Sequence, residues 1–245
     1  MAEPELLGLS AVLRPGDHVF DVGAAYGMYS FPLADMVGTT GTVHSFEPQG
    51  KQHRILTAIR RLSRAGHINI NRCLLGSRSG EHTLVLPVRF GVPVHGHAHV
   101  SAGSTESAPW FGSSRSHKAP MTTIDAWCQA HDIDTVSFIK VDVEGFEPKV
   151  LDGAAGTIAA SHPSLLLEIE DRHTARYGTN GNQFADTIRR RWPEYDMYTW
   201  SDGAWRPALQ VECGTRNYLF ATKDAFDRDG SLPVPEPAAP IATAA

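Results

Sequence analysis

Apolar and polar positions switch repeatedly between two spacings along this chain. Residues 18–22 (HVFDV), 42–46 and 67–74 are short strand-forming runs, and the first is nearly continuous in apolar character, as in a strand buried on both faces. Residues 26–37 and 49–65 read as helices between them, the second one basic. Residues 4–13 predict a short amphipathic helix, with Leu6, Leu7, Leu9, Val12 and Leu13 on its apolar face and Pro15 and Gly16 as its stop. The first 75 residues thus alternate strand and helix as βαβ units do.

Residues 81–122 break this alternation. Two β segments, 81–87 and 92–100, precede a Ser- and Gly-rich stretch at 101–116, which predicts a flap or lid inserted into the core fold. The alternation then resumes. A helix over 123–131 starts on Thr122 or Thr123, and strands follow at 136–141 and 164–169, with helices over 148–160 and 183–191. Segments 195–200, 205–211 and 215–222 close the fold as strands, with Ser201-Asp202-Gly203 as a hairpin turn. Pro- and Ala-rich residues 231–245 read as a disordered tail.

Composition narrows this picture. With 245 residues, 42% of them hydrophobic, one α/β domain with a full core is expected over 15–224, after an N-terminal helix over 1–14 and before a tail over 225–245. The net charge of -5 and the lack of a long basic run argue against nucleic-acid and membrane-surface partners. Arg189, Arg190 and Arg191 form the only short cationic cluster, read as a solvated helix face. Cys73, Cys128 and Cys213 lie far apart, which fits buried thiols in a reducing cytoplasm rather than a disulfide or zinc framework. The acidic N-terminus lacks the features of a signal peptide, and no apolar run is long enough to span a membrane.

Chemistry concentrates at strand ends. Asp21-Val22-Gly23-Ala24-Ala25-Tyr26-Gly27 follows the first strand as D-x-G-x-x-x-G. Glycines there let backbone approach a ligand closely, and a helix N-terminus offers N–H groups. Glu47 ends the second strand, where a carboxylate can accept hydrogen bonds from two ribose hydroxyls. No G-x-G-x-x-G run occurs, which disfavours a dinucleotide and favours S-adenosylmethionine. Asp21, Gly23, Tyr26, Gly27, Ser30 and Glu47 are the candidate cofactor residues, with Leu75, past the third strand, beside the adenine.

The second half carries Lys140-Val141-Asp142-Val143-Glu144-Gly145-Phe146-Glu147, then Val150, Leu151 and Gly153, and later Leu165-Leu166-Leu167-Glu168-Ile169. With Thr122-Thr123-Ile124-Asp125, these stretches resemble the FkbM family of O-methyltransferases over residues 15–222. The resemblance implies a Rossmann-like α/β fold: a seven-stranded, mainly parallel sheet ending in an antiparallel hairpin. It implies S-adenosylmethionine as donor and a hydroxyl acceptor on a sugar, an oligosaccharide or a polyketide-type product, with actinobacterial and mycobacterial sugar methyltransferases as suspected kin. A homodimer is plausible from family habit.

A sugar hydroxyl is a weak nucleophile and needs a base, a metal or both. Asp142, Glu170 and Asp171 form an oxygen set suited to Mg2+, and Glu168 is a further candidate. Asp142, Glu144 and His173 are the candidates for the catalytic groups. His95, His97 and His99 alternate as on an exposed strand, whereas His67, His131 and His162 read as loop or cap residues. Trp110, Phe111, Tyr177, Trp200 and Trp205 are candidate sugar platforms. A nicotinamide-dependent oxidoreductase, a non-catalytic S-adenosylmethionine-binding subunit, and a protein or nucleic-acid methylase are the competing readings.

Overall fold

The computed structural model describes residues 3–89, 92–93, 99–100, 113–174 and 178–226. His95, His97, Trp110, Phe111, Tyr177 and the tail from 227 lie outside them, as does the His99 side chain. Eight strands form the main sheet: β1 (His18–Val22), β2 (Thr42–Phe46), β3 (Ile68–Asn71), β9 (Phe138–Val141), β10 (Ser164–Glu168), β11 (Asp196–Ser201), β12 (Ala204–Pro207) and β13 (Asn217–Ala221). Their order is β12-β11-β13-β10-β9-β1-β2-β3. The five strands from β10 to β3 run parallel, and β13 pairs antiparallel to both β10 and β11. The expected seven strands are therefore corrected to eight. Asp202 and Gly203, both at positive φ, make a tight turn that folds β12 back on β11 and adds an outer strand.

Helices cover both faces. Helices α1 (Ser30–Val37) and α2 (Gly50–Ser63) are the crossovers between β1, β2 and β3. Helices α4 (Glu147–Asp152) and α5 (Ala155–Ser161) connect β9 to β10, and α3 (Ile124–Ala130) and α7 (Gly181–Arg191) pack with them in one core. The single helix expected over 148–160 is broken at Gly153. There a Cβ would stand 2.0 Å from the Gly76 carbonyl oxygen, so the glycine lets the 74–76 segment lie against the helix pair. Thr123 caps α3 by accepting from the Ala126 N–H. Asp125 accepts from the Gly156 and Thr157 N–H groups and so ties α3 to the start of α5. Asn180 and Gln183 form a capping box on α7. The N-terminal segment is a 3-10 helix, Pro4–Ala11, whose Gly8 carbonyl accepts from Trp205 Nε1.

The excursion is a second sheet. Strands β4 (Leu74–Leu75), β5 (Gly80–Arg89), β6 (Val92–Pro93), β7 (His99–Val100) and β8 (Ser113–Thr122) build it around the long antiparallel β5–β8 pair. The strand expected over 67–74 is split accordingly, β3 staying in the main sheet while β4 joins this one. Of the cysteines, Cys128 is buried, Cys73 partly so, and Cys213 is exposed. Among the described residues no helix is long and apolar enough to cross a membrane.

Candidate active site

Parallel strands deliver their C-terminal ends to one edge, and the crevice outside that edge is where open α/β sheets bind ligands. A cavity of about 310 Å³ lies there. Val22, Gly23, Ala25 and Glu47 wall it on one side, Asp142, Val143, Glu144 and Arg216 on another, with Leu75, Leu84 and Val100 reaching in from the second sheet. That volume is at the small end of the range for ligand pockets.

The Gly-rich turn is organised more tightly than a simple strand-to-helix step. The Gly23 and Ala24 N–H groups both donate to the Phe46 carbonyl, and Ala25 sits at φ 46. Helix α1 begins only at Ser30, four residues later than expected, because residues 25–29 are taken up by turns. Glu47 is buried; it accepts from the Ala25 N–H at 3.0 Å and the Gln49 N–H at 2.7 Å. Burial pushes its carboxyl up to about 7, against those two hydrogen bonds.

Gly23, Glu47 and Leu75 line the cavity. Asp21 and Ser30 instead lie beneath it, in the interior: Ser30 donates to Asp21 Oδ2 at 2.6 Å and receives Ser45 at 2.8 Å. Burial holds the Asp21 carboxyl above its ordinary range. Tyr26 is exposed outside the cavity, and Gly27 makes room for Leu56 and Phe31, whose atoms a Cβ there would meet at 2.6 and 2.7 Å.

The acidic half is a connected charge network. Lys140, buried in β9, donates to Asp142 Oδ2 at 2.9 Å and lies 4.5 Å from the centre of the Tyr29 ring. Burial opposes charge on both groups, but each outweighs that for the other: the Asp142 carboxyl is held low and the Lys140 ammonium high. Tyr29 donates to Glu5 of the 3-10 helix at 2.6 Å, and Asn217 donates to the same carboxylate. Glu168 pairs with Arg216; burial and the nearby Asp142 charge push it up to about 7. His173 stands between two carboxylates, Nε2 at 3.0 Å from Glu144 and Nδ1 at 3.7 Å from Glu168. Burial alone would lower its pKa, but those partners raise it to about 9, so the ring is an imidazolium at neutral pH. Glu144 holds φ 58 in the left-handed region. Buried Glu147 accepts from the Val143 and Gly145 N–H groups and fixes that turn.

The expected metal set is not brought together. Asp142 is on Lys140, Glu170 lies 2.5 Å from both Arg172 and Arg216, and Asp171 accepts from the Gly181 N–H at 2.7 Å. Among the described residues, Glu144, Glu168 and His173 do place ligand atoms within 4.8 Å of one another. In that set His173 stands between the two carboxylates, and Glu168 also pairs with Arg216. Trp200 and Trp205 pack against Gly8 of the 3-10 helix, away from the cavity. His67 and His131 bond backbone carbonyls, and His162 ends α5 in a left-handed cap. Arg189 ties down the Ala208 and Leu209 carbonyls, and Arg191 pairs with Asp152.

Sequence reasoning missed Arg216 and the role of Lys140. Arg216 follows no motif. It reaches the rim because it directly precedes β13, whose antiparallel run puts its start rather than its end at the active edge.

A parallel sheet with an antiparallel β13 insertion and a cavity at its strand ends defines a methyltransferase-like α/β fold. The FkbM methyltransferase domain model matches residues 21–210, and the chain belongs to that family. Methyltransferase FkbM from Methylobacillus flagellatus is similar in structure, with TM-score 0.53 and 20% identity, over 89% of this chain and 50% of that one. This chain thus spans about half the length of that relative. A SAM-dependent methyltransferase from Aquifex aeolicus gives TM-score 0.47 at 15% identity, over 89% and 88% of the two chains. A putative methyltransferase from Streptococcus mutans in complex with SAH gives 0.49 at 7%, over 91% and 99%. No curated protein matches the sequence.

Proposed function

We propose that this protein transfers a methyl group from S-adenosylmethionine to a hydroxyl oxygen, with a sugar or oligosaccharide as the leading acceptor. The observation that carries the reading is the shared cavity: Gly23 and Glu47 wall it on one side and Asp142 and Glu144 on another. Glu47 would hold the ribose hydroxyls through the second lone pairs of its oxygens, with Leu75 flanking the adenine. Bound there, S-adenosylmethionine supplies an electrophilic methyl on a sulfonium.

Asp142 then accepts the hydrogen bond of the acceptor hydroxyl and aligns its oxygen. Asp142 passes the hydroxyl proton to the neighbouring Glu168, whose carboxyl is pushed up to about 7 and serves as the base. Glu144 adds a second acceptor on the cavity wall, and the His173 imidazolium positions Glu144 and Glu168. No step is routed through a metal.

The test is a labelled S-adenosylmethionine assay against a panel of sugars and glycans, with and without EDTA. Methyl ether formation unaffected by EDTA is expected. Turnover abolished by EDTA and restored by Mg2+ would return the metal to the mechanism. Binding of NAD with no heat from S-adenosylmethionine in calorimetry would overturn the whole reading.

A further inference from the structure

Helix α2 differs in charge from the rest of the molecule. From Gly50 to its cap at Arg64 it carries Lys51, Arg54, Arg60, Arg61 and Arg64 and no acid, in a chain of net charge -5. Only Gln52 and Leu56 of this helix are buried. Ile55, Ile59 and Leu62, spaced by four and three, form an aliphatic stripe on the exposed side; Leu62 is 85% exposed. Lys51, Arg54 and Arg61 fall on the neighbouring exposed stripe. One outward face is thus divided lengthwise into an aliphatic half and a cationic half. Because β3 ends the sheet, α2 covers the outermost crossover and keeps this face turned outward.

We infer that α2 is a docking helix for an anionic lipid surface. A helix lying in the plane of a bilayer buries aliphatic side chains at the headgroup–acyl boundary while its cations meet lipid phosphates. Both stripes are used in that pose. A nucleic acid would engage the cations and leave Ile55, Ile59 and Leu62 unsatisfied. A second copy meeting this face across a two-fold axis would set five cations against five. The net charge of the whole chain argued against a membrane surface because it averages over this local concentration.

The experiment is co-sedimentation of the full chain with phosphatidylcholine vesicles and with vesicles that also contain phosphatidylglycerol. Pelleting with the anionic vesicles alone is expected, weakened by NaCl. An Arg54→Glu/Arg61→Glu variant and an Ile59→Ser/Leu62→Ser variant should each bind about tenfold more weakly or worse. All four positions are exposed, and circular dichroism is the check that each variant folds. A Leu62→Trp variant gives an independent reading: its emission should shift to the blue on anionic vesicles. Absence of pelleting overturns the inference, as does pelleting that both double variants retain. So does capture of RNA without vesicle binding, or self-association that the α2 variants abolish.

Discussion

A methyl group on Gly23 would stand 1.9 Å from the carbonyl oxygen of Asp142. That one distance joins the two halves of the site, because the cofactor turn and the acidic turn touch through a glycine at φ 87. Gly23→Ala should therefore cost about 3 kcal/mol of stability through strain and overpacking. It should also abolish S-adenosylmethionine binding in calorimetry, and a variant that binds normally would show that the close approach is dispensable. Lys140 makes the complementary case in charge. Its ammonium is the cation beneath Asp142 and near Asp21. Lys140→Met leaves those carboxylates without it and should destabilise the fold by about 3–5 kcal/mol in urea melts. In whatever fraction folds, the Asp142 carboxyl titrates higher, so the acid limb of the activity profile moves to higher pH.

At the scale of elements, three segments that are distant in sequence converge: the 142–147 turn, helix α6 (Asp171–Thr174) with its His173, and the start of β13. The strands of this arrangement were legible, since 18–22 and 42–46 show the pattern of buried strands and the structure returns the same bounds. The acid-rich turn was legible too, because K-x-D-x-E-G-x-E is dense enough to stand out. Partners of the acids were not, since a carboxylate in sequence does not reveal whether a cation, an N–H or a ligand meets it. Asp171 is taken by the Gly181 N–H of α7, and Glu170 holds Arg216, a pair that exists only once β13 folds back beside β10. His173 makes this testable. Its folded pKa of about 9 exceeds the unfolded 6.5, so the clamp stabilises fully below about pH 6.5 and fades as pH rises through 9. The stability gap between the wild type and His173→Gln in urea melts should thus shrink as pH rises from about 7, above which Glu168 is ionised, through 9. A gap independent of pH would mean that the imidazolium is not what holds Glu144 and Glu168.

Across the whole molecule, the second sheet and the 3-10 helix enclose a site that the parallel sheet alone would leave open. Leu84 and Val100 come from the excursion and Glu3 precedes the N-terminal helix, yet all three line the cavity. The break at 81–122 is legible as loss of periodicity, but the β5–β8 pairing has no local signature in the sequence. Burial matters for the chemistry, since it keeps Glu168 near 7 and lets it serve as a base. Two conditions then bound activity. Glu168 must have lost its proton, and His173 must have kept its own. Plotted against pH, kcat/KM should rise through an apparent pKa of about 7 and fall through one of about 9. Glu168→Gln removes the base, so the rising limb should disappear with a loss of about 100-fold or more in rate, while the falling limb remains. His173→Gln should do the converse, erasing the falling limb while the rising limb shifts, because Glu168 then loses the imidazolium and keeps Arg216. A profile in which both limbs survive both substitutions would place the base outside this network and leave Glu144, the remaining acid on that wall, as the group to test next.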